Sequence, residues 1–308
     1  MQIDVIIPVY KPNEKLKEVL QALTTQTCKV HSIFLMHTED GCDLSWAENV
    51  CQGISVAEIL IKKNQYDHGA TRDLGIQKTS AEVVIVMNQD AIPKDERVIE
   101  HLMAALFQEP EIAVAYARQS AEQLSNEMEN YTRAFNYPEK SAVKSKADKE
   151  KMGIKTYFCS NVCAAYKKEI YQKLGGFEKK IIFNEDMVYA ARAIEQGFKI
   201  AYAADAVVFH GHNLTTLQLF KRNFDLGVSQ ACYPEIFKDV KSENEGIRLV
   251  KETIKFFIKS GKLFLVIETV WKSGWKYIGY QLGKHYERLP MRLVRLFTMN
   301  RIYWEGDE

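Results

Sequence analysis

The sequence of 308 residues contains no apolar run long enough to cross a lipid bilayer, which takes about 20 consecutive apolar residues. Its densest apolar stretch, Leu263 to Trp271, is interrupted by Glu268 and flanked by lysines. The first apolar stretch, Ile3 to Val9, contains Asp4 and Pro8 and is too short for the core of a signal peptide. We therefore expect neither a membrane-spanning helix nor a secretory leader, and the first stretch predicts a strand.

The sequence also lacks the patterns of common zinc and nucleotide sites. Its six cysteines form no CxxC pair and no close Cys/His spacing, so we expect reduced, mostly buried thiols in a cytosolic protein. No GxGxxG follows the first apolar run and no GxxxxGK[ST] occurs anywhere. These absences argue against a dinucleotide-dependent dehydrogenase and a P-loop enzyme.

A net charge is almost lacking too, because 41 Lys and Arg balance 40 Asp and Glu. This balance gives no general reason to bind nucleic acid, and we expect none as a partner. The charge is nevertheless uneven along the chain. Residues 241–308 carry 13 Lys and Arg against eight Asp and Glu, whereas residues 1–240 carry 28 against 32. The C-terminal region is therefore basic.

Short apolar runs and helix-spaced segments alternate in the first hundred residues. The runs predict strands at 5–7, 33–36, 59–61 and 83–87, and the spacing predicts helices at 16–23, 68–78 and 95–108. Runs without polar alternation are typical of strands buried on both faces. The pattern predicts an α/β protein with a parallel sheet and helices on both sides.

Polar residues follow each of the four predicted strands. They are Tyr10 after the first, Thr38-Glu39-Asp40 after the second, Asp67-His68 after the third and Asn88-Gln89-Asp90 after the fourth. Ligands of open α/β sheets bind at the carboxyl ends of the strands. Strand ends are also ordinary polar loops, but four polar ends on one edge favour a ligand site.

The middle of the chain predicts further elements. Residues 139–153 are highly charged and predict an exposed loop or solvated helix, which is either a lid or a plain connection. A helix is predicted from Ala164 to Leu174. Asn184 is predicted to cap a second helix that has Glu185 and Asp186 in its first turn, and capping alone would explain these two carboxylates. A strand at 199–202 or 206–209 then leads to the sequence His-Gly-His at 210–212.

Several stretches, taken in order, resemble the family-2 glycosyltransferases of GT-A fold. They are DVIIPVYKPN at 4–13, NQYDHGATRDLG at 64–75, NQDAIP at 88–93 and the segment from FCSNVCAAY at 158–166 through FNED at 183–186 to FHGHN at 209–213. Within the family, the chain is similar to bacterial rhamnosyltransferases that build cell-wall or capsular polysaccharide. The resemblance implies a GT-A catalytic domain at 1–240, with a sugar-nucleotide half at about 1–118 and an acceptor half at about 119–240. A basic, helical C-terminal region at 241–308 would follow.

The resemblance implies a cleft for a sugar nucleotide. Its expected residues are Pro8, Val9, Tyr10, Thr38, Glu39, Asp67, His68, Arg72, Gln89 and Asp90. The family usually places an aspartate at the end of the second strand, and here recognition of the base or ribose would fall to Thr38 and Glu39. Arg72 would fork onto diphosphate oxygens, the alternative being a surface ion pair with Asp73 or a neighbour.

The resemblance also implies a metal-dependent, inverting transfer. Asp90 would bind Mg²⁺ or Mn²⁺, with His210 as a second ligand and His212 as the competing candidate. Asp186 would be the catalytic base that takes the proton of the acceptor hydroxyl. Glu185 would orient Asp186 or bind the acceptor.

The basic C-terminal region contains an amphipathic pattern. Trp271 and Trp275 recur at helical spacing with Lys272 and Lys276 between them, which is typical of a helix at a membrane interface with anionic lipids. The alternative is a helix docked on the catalytic domain or on a second subunit of a homodimer. Membrane contact would place the protein at the cytoplasmic face of the cell membrane.

The expected function is transfer of L-rhamnose from dTDP-β-L-rhamnose to a hydroxyl of a glycan acceptor linked to a lipid. One alternative is a family-2 transferase with another donor, such as UDP-GlcNAc, UDP-glucose or UDP-galactose. A second is a sugar-nucleotide-binding scaffold without catalysis, since the metal motif holds one carboxylate. A third, a membrane adaptor acting through the C-terminal region alone, leaves the polar strand ends unexplained.

Overall fold

One nine-stranded sheet organises the protein. The computed structural model describes residues 1–121, 126–211, 214–238 and 242–305. The strands in these ranges are β1 (Ile3–Val9), β2 (Ser32–Thr38), β3 (Ser55–Ile61), β4 (Val83–Met87), β5 (Ile92–Pro93), β6 (Ile112–Ser120), β7 (Ala142–Lys144), β8 (Cys163–Lys167) and β9 (Lys199–Phe209). Their order across the sheet is β3-β2-β1-β4-β8-β6-β9-β5, and β7 also pairs with β9.

Helices flank the sheet and make up the C-terminal region. The α-helices of the described ranges are α1 (Glu14–Thr24), α2 (Trp46–Val50), α3 (His68–Lys78), α4 (Val98–Phe107), α5 (Glu127–Asn136), α6 (Lys149–Met152), α7 (Lys168–Lys173), α8 (Glu185–Glu195), α9 (Thr216–Cys232), α10 (Pro234–Phe237), α11 (Ser242–Lys259), α12 (Leu263–Lys284) and α13 (Met291–Phe297). Short 3₁₀ turns join several of them.

Strand direction decides which residues share an edge of the sheet. Strands β1 to β4 run parallel, β6 and β9 run in the same direction, and β8 lies antiparallel between β4 and β6. The carboxyl ends of six strands and the amino end of β8 therefore meet at one edge. The expected mixed, mostly parallel α/β sheet is confirmed.

The sheet is buried on both faces, as its uninterrupted apolar runs predict. Val5 and Ile7 of β1 point to one side and pack in a core with Leu16 of α1. Ile6 points to the other side and packs in a second core with Ile76 of α3. Helices therefore cover both faces, and the strand ends remain the accessible parts of the sheet.

The predicted helix from Ala164 to Leu174 is wrong in its first half. Ala164 and Ala165 are fully buried in β8, which forms hydrogen bonds with β4 on one side and β6 on the other. The ladder on both sides outweighs the helix preference of the alanines, and the helix begins only at Lys168. The last strand was predicted at either 199–202 or 206–209, and both segments lie in one continuous strand, β9.

The charged segment at 139–153 is not a wholly solvated connection. Its residues Ala142–Lys144 form β7, which is paired with β9, so this part is fixed in the sheet and cannot move as a free lid. Lys144 is buried, and its Nζ donates to the hydroxyl of Tyr116 at 3.3 Å and to the carbonyl of Lys155 at 3.2 Å. Burial lowers the pKa of Lys144 to about 7.

The C-terminal helix α12 packs against α9 through glycines. A Cβ atom at Gly279 would collide with the carbonyl oxygen of Phe220, and one at Gly283 with that of Phe224. On the α9 side, a Cβ atom at Gly227 would collide with a carbonyl oxygen of α12. Only glycine permits this close approach of the two backbones. This face of α12 is therefore docked on α9, as in the alternative of a helix that packs on the catalytic domain. Among the described helices, none combines the length and the apolar character that crossing a bilayer demands.

Candidate active site

Polar side chains from both halves of the chain converge on the edge where the strands end. Tyr10 follows β1, Asn88 follows β4 and His210 follows β9, while Asn161 precedes the antiparallel β8. The amino end of α8, with Glu185 and Asp186, is joined to this edge through Asn161. The convergence that the sequence predicts is therefore present.

The loops after β1 and β4 are joined by one side chain. The Oε1 atom of Gln89 accepts from the backbone N–H of Tyr10 at 2.9 Å, and its Nε2 donates to the carbonyl of Tyr10 at 2.9 Å. The ring of Tyr10 remains exposed, Pro8 is half-buried, and Val9 is buried in the core. Val9 can therefore present only its backbone to a ligand. Gln89 fixes the position of the loop after β1 relative to the loop after β4.

The end of β2 differs from the expected arrangement. The side chain of Thr38 is buried, whereas that of Glu39 is exposed. The buried carboxylate is Asp40, which accepts hydrogen bonds from the backbone N–H groups of Lys11 and Cys42. Although burial opposes its ionisation, these bonds hold the pKa of Asp40 well below its usual range. Asp40 is one of the three polar residues after β2, of which only Thr38 and Glu39 were expected to recognise the nucleotide.

Asp67 and His68 lie at the start of α3. The Oδ1 of Asp67 caps this helix by accepting from the N–H of Ala70 at 2.6 Å, and its Oδ2 accepts from the N–H of Ile181 at 2.9 Å. The half-buried His68 lies 3.3 Å from the hydroxyl of Tyr66, measured from its Nδ1. Asp67 thus ties the nucleotide half to the segment that leads into α8.

Arg72 is a buried residue of α3 that joins three elements. Its Nη1 donates to the carbonyl of His68 at 2.9 Å, its Nη2 donates to Oδ1 of Asn88 at 3.1 Å, and Nη1 lies 3.4 Å from Oε1 of Glu185. The surface ion pair with Asp73, considered as the alternative for Arg72, is not observed. The carboxylate of Asp73 instead accepts from the Tyr171 hydroxyl and the Gln77 amide.

Asp90 and His210 lie together at the ends of β4 and β9. The Nε2 of His210 is 3.5 Å from Oδ1 of Asp90, and its Nδ1 is 3.1 Å from Oε1 of Gln119. A hydrogen bond from Nδ1 to Gln119 turns the lone pair of Nε2 toward Asp90, as outer partners of metal-binding histidines do. His212, the competing candidate, lies outside the described residues.

These two groups fit a divalent cation that also binds a substrate. No cluster of three or more His, Cys, Asp or Glu side chains suited to a metal occurs in the described ranges. A carboxylate oxygen and an imidazole nitrogen are nevertheless an acceptable pair of protein ligands for Mn²⁺ or Mg²⁺ when diphosphate oxygens complete the shell.

Asp186 is held by backbone donors at the amino end of α8. Its Oδ2 accepts from the N–H of Asn161 at 2.9 Å, and its Oδ1 accepts from the N–H of Met187 at 2.8 Å. Burial, followed by the charge of Glu185, raises the pKa of Asp186 to about 7. A carboxylate with this pKa is a suitable proton acceptor near neutral pH.

Glu185 is electrostatically different from its neighbour. Burial opposes its charge, but Arg72 and, less strongly, His68 hold the pKa of Glu185 below its ordinary value. The Nδ2 of Asn161 donates to Oε1 of Glu185 at 3.0 Å, and its Oδ1 accepts from the hydroxyl of Tyr166 at 2.6 Å. Asn161 therefore positions both carboxylates. Asn161 belongs to the stretch FCSNVCAAY that resembles the family, but it was not among the expected site residues.

The predicted side-chain cap of α8 is wrong. Asn184 occupies the cap position, but its side chain makes no capping hydrogen bond. It has a φ of 66°, in the left-handed region, and its Nδ2 lies 3.5 Å from the hydroxyl oxygen of Ser229 on α9. The backbone turn at Asn184 thus sets the entry into α8.

Helix α12 separates its tryptophans from two of its lysines. The side chain of Trp271 is 60% exposed, and Trp275 lies beside it with ring centroids 5.9 Å apart. Lys272 and Lys276 instead line a cavity between helices, and Lys272 pairs with Glu268 at 2.6 Å. The four residues expected at a membrane therefore do not share one exposed face.

Comparisons of the sequence identify its relatives. The family profile described as Glycosyl transferase family 2 matches residues 4–175. The chain is 39% identical over 308 residues to the O-antigen chain rhamnosyltransferase RfbN of Salmonella typhimurium, with 99% of this chain and 97% of that protein covered. It is 34% identical over 304 residues to the O-antigen chain rhamnosyltransferase WbaN of Salmonella anatum, with 98% and 95% covered.

Comparisons of the fold agree. A mannosyltransferase of Pyrobaculum calidifontis, solved with GDP-Man and Mn²⁺, superposes with a TM-score of 0.55 at 13% identity, covering 96% of this chain and 78% of that one. Residues 1–349 of TarS from S. aureus, solved with UDP-GlcNAc, give a TM-score of 0.53 at 12% identity, covering 94% and 92%. At such identities the likeness shows the fold alone, and the expected GT-A fold is confirmed.

Proposed function

The chain belongs to glycosyltransferase family 2, and from this premise we propose that it is an inverting rhamnosyltransferase. Its donor would be dTDP-β-L-rhamnose, and its acceptor a hydroxyl of a lipid-linked glycan in polysaccharide synthesis. The choice of rhamnose is supported by the names of the two relatives at 39% and 34% identity. The choice of a nucleotide donor is supported by the solved transferases that contain GDP-Man or UDP-GlcNAc.

One observation carries the proposal most directly. Asp186 is a carboxylate with a pKa raised to about 7 by burial and by Glu185, and backbone donors fix both of its oxygens. A base held in this way can accept the proton of a sugar hydroxyl as the hydroxyl attacks the anomeric carbon from the face opposite the diphosphate. Glu185 stays ionised beside Arg72 and keeps the proton affinity of Asp186 high.

The nucleotide would lie across the ends of β1, β2 and β4. The exposed ring of Tyr10 offers a stacking surface for the base, and the exposed Glu39 offers acceptors for ribose hydroxyls. Asp90 and His210 would hold Mg²⁺ or Mn²⁺ against the diphosphate. When bound, this cation supplies charge stabilisation for the leaving nucleotide.

The cellular setting is also part of the proposal. The exposed apolar side chains of α12, with Trp271 among them, would rest on the cytoplasmic face of the cell membrane. This position gives access to an acceptor whose lipid is in the bilayer. A homodimer remains a prediction from the sequence.

The test is a donor panel with purified full-length protein. Release of dTDP or UDP would be measured with dTDP-rhamnose, UDP-GlcNAc, UDP-glucose and UDP-galactose, with Mn²⁺ and a set of lipid-linked and short glycan acceptors. We expect turnover with dTDP-rhamnose only, and a loss of about a hundredfold or more in Asp186→Asn. Turnover with a UDP-sugar would replace the donor. Nucleotide binding without turnover across all acceptors would favour a non-catalytic scaffold.

A further inference from the structure

A cavity of about 820 Å³ lies between α5, α9, α11 and α12. We call it the cationic cavity, because its charged lining residues are Arg133, Arg222, Lys251, Lys272, Lys276 and a single acid, Glu129. Neither the sugar-nucleotide cleft nor the catalytic base uses these cations.

Two of the five cations have acidic partners. Arg133 pairs with Glu129 at 2.7 Å, and Lys272 pairs with Glu268 at 2.6 Å. In the described part of the chain, no carboxylate lies within ion-pair distance of Arg222, Lys251 or Lys276. Positive charge therefore exceeds negative charge in the lining of the cavity, which favours an anionic ligand.

The positive charges of the cavity act on one another. Burial, followed by the charge of Arg133, lowers the pKa of Arg222. Burial also lowers the pKa of Lys276, against the opposing charge of Glu129 and together with the charges of Lys272 and Arg222. Arg222 lines the cavity and is an exposed residue, so its guanidinium is accessible to a ligand. An anion between Arg222 and Lys276 would relieve both the repulsion and the lost hydration.

Two residues of the cavity lining contact side chains next to the catalytic groups. Tyr137 lines the cavity, and its hydroxyl accepts from Gln119, the partner of His210. The guanidinium of Arg222 lies 5.3 Å from the ring centre of Phe183, which immediately precedes the turn into α8. A ligand in the cavity can therefore extend a glycan toward Asp186.

Part of the cavity lining is apolar and exposed. Ile247 and Tyr277 line it and are 53% and 59% exposed. Further along α12, exposed apolar side chains are Leu263, Phe264, Ile267 and Val270. The lining thus combines exposed apolar side chains with cations, which matches a molecule with a hydrocarbon chain followed by an anionic group and a polar glycan.

We infer that the cationic cavity binds the phosphate or diphosphate group that links lipid and glycan in the acceptor, with Arg222 and Lys276 as its anion ligands. This inference rests on the proposed function, because it concerns the acceptor of the same reaction. A diphosphate diester, with two negative charges, matches the three unpaired cations better than a monophosphate diester does. The lipid chain leaves the cavity past Tyr277, and the glycan points to Asp186.

The first experiment compares two acceptors that share one glycan. One acceptor carries farnesyl diphosphate and the other a neutral alkyl group, and KM is measured for each with wild type and Lys276→Gln. We expect wild type to prefer the diphosphate acceptor, and the variant to lose about tenfold or more of this preference, since it lacks a charged hydrogen bond to the phosphate. An unchanged ratio of the two KM values overturns the inference while transfer itself stands.

The matched control is Lys259→Gln. Lys259 is an exposed lysine of α11 that does not line the cavity, so this variant removes the same charge from the same basic region. We expect the preference of Lys259→Gln to equal that of wild type. An equal loss in both variants would mean that general attraction of the basic region, not the cavity, recognises the phosphate.

The second experiment needs no catalysis. Binding of farnesyl diphosphate and of farnesol is measured by calorimetry, with dihexanoylphosphatidylglycerol as a competitor. The inference predicts tighter binding of farnesyl diphosphate than of farnesol, and a loss of about tenfold in Lys276→Gln. This result in a protein that transfers no sugar would separate the site from the proposed function. Equal binding of the phosphatidylglycerol would instead identify a phospholipid site and overturn the inference.

Discussion

The Nη1 atom of Arg72 lies 3.4 Å from Oε1 of Glu185, and both side chains are buried. This ion pair keeps a negative charge one residue away from Asp186. Two adjacent carboxylates at one helix start therefore differ in function: Glu185 stays ionised, and Asp186 gains proton affinity. The difference arises from one arginine that approaches only one of them closely.

The rate of transfer is expected to follow the ionisation of Asp186. The value of kcat/KM should rise with pH through about 7, the pKa that burial and Glu185 produce in Asp186, and then level off. In Glu185→Gln the neighbouring charge is absent, so the rising limb should move to lower pH. Rates measured between pH 5 and 9 would check this, and identical limbs in both proteins would contradict it.

Folding stability should also depend on the ionisation of Asp186, but it should fall as the pH rises, whereas the rate of transfer increases. Asp186 has a folded pKa of about 7, raised by burial and by Glu185 above an unfolded value of about 3.9. The stability that the protonated carboxyl contributes is fully present below the unfolded pKa of about 3.9. It is lost as the pH rises from there through about 7. Wild type should therefore lose about 2 kcal/mol relative to Asp186→Asn between pH 5 and 8. Urea denaturation at both pH values measures the difference, and parallel behaviour would exclude a raised pKa.

Asn161→Ala should impair both stability and transfer. The change removes the acceptor of the buried Tyr166 hydroxyl and a donor to Glu185, which should cost about 1–3 kcal/mol of unfolding free energy. Tyr166→Phe is the control, because it removes the hydroxyl and leaves Asn161 in contact with Glu185. The double variant should be less destabilised than the sum of the two. Additive losses would show that the two side chains do not act together.

Metal affinity should depend on Asp90, His210 and the residue behind them. With saturating dTDP-rhamnose, Asp90→Ala and His210→Ala should each raise the Mn²⁺ concentration for half-maximal activity by about tenfold or more, and Gln119→Leu by about tenfold. Chelation with EDTA should abolish transfer in wild type. Binding of dTDP in EDTA serves as the control and should be similar in all four proteins. Full activity in EDTA would exclude the metal site.

Two glycines of α12 should respond differently to the same substitution. Gly283→Ala places a Cβ atom against the carbonyl oxygen of Phe224 and should lower the melting temperature by several degrees or prevent folding. Gly274→Ala meets no atom within 4 Å and should stabilise the helix by about 0.5–1 kcal/mol. Thermal unfolding of both variants tests whether α12 packs closely on α9. Equal effects would mean that α12 is not packed closely on α9.

The order of strands and helices could be read from the sequence because apolar runs buried on both faces have a clear period. Residues 164–167 could not, since their strand depends on hydrogen bonds to β4 and β6, which are distant in sequence. Alanine favours a helix locally, and the sheet outweighs that preference.

The sequence predicts at which edge of the sheet the candidate site lies. It does not predict which side chains contact one another there. The carboxyl ends of β1, β2 and β4 were identified from polarity alone. Asp40 is one of the polar residues after β2, but nothing in the sequence indicates that its carboxylate is the one that accepts backbone N–H groups there. Asn161 was missed for a similar reason, since its contacts with Glu185 and Asp186 join segments 24 and 25 residues apart. Such pairs follow from tertiary packing, which periodicity does not encode.

The glycine crossing of α9 and α12 also constrains how related transferases can be recombined. Gly227, Gly279 and Gly283 together permit the close backbone contact between α9 and α12. A chimera that takes α9 from one parent and α12 from another therefore combines two helix surfaces that need not fit each other. Arg222 belongs to the first helix and Lys276 to the second. A breakpoint between the two helices would therefore also split the lining of the cationic cavity. Acceptor preference should be transplantable only when both helices are exchanged as one cassette.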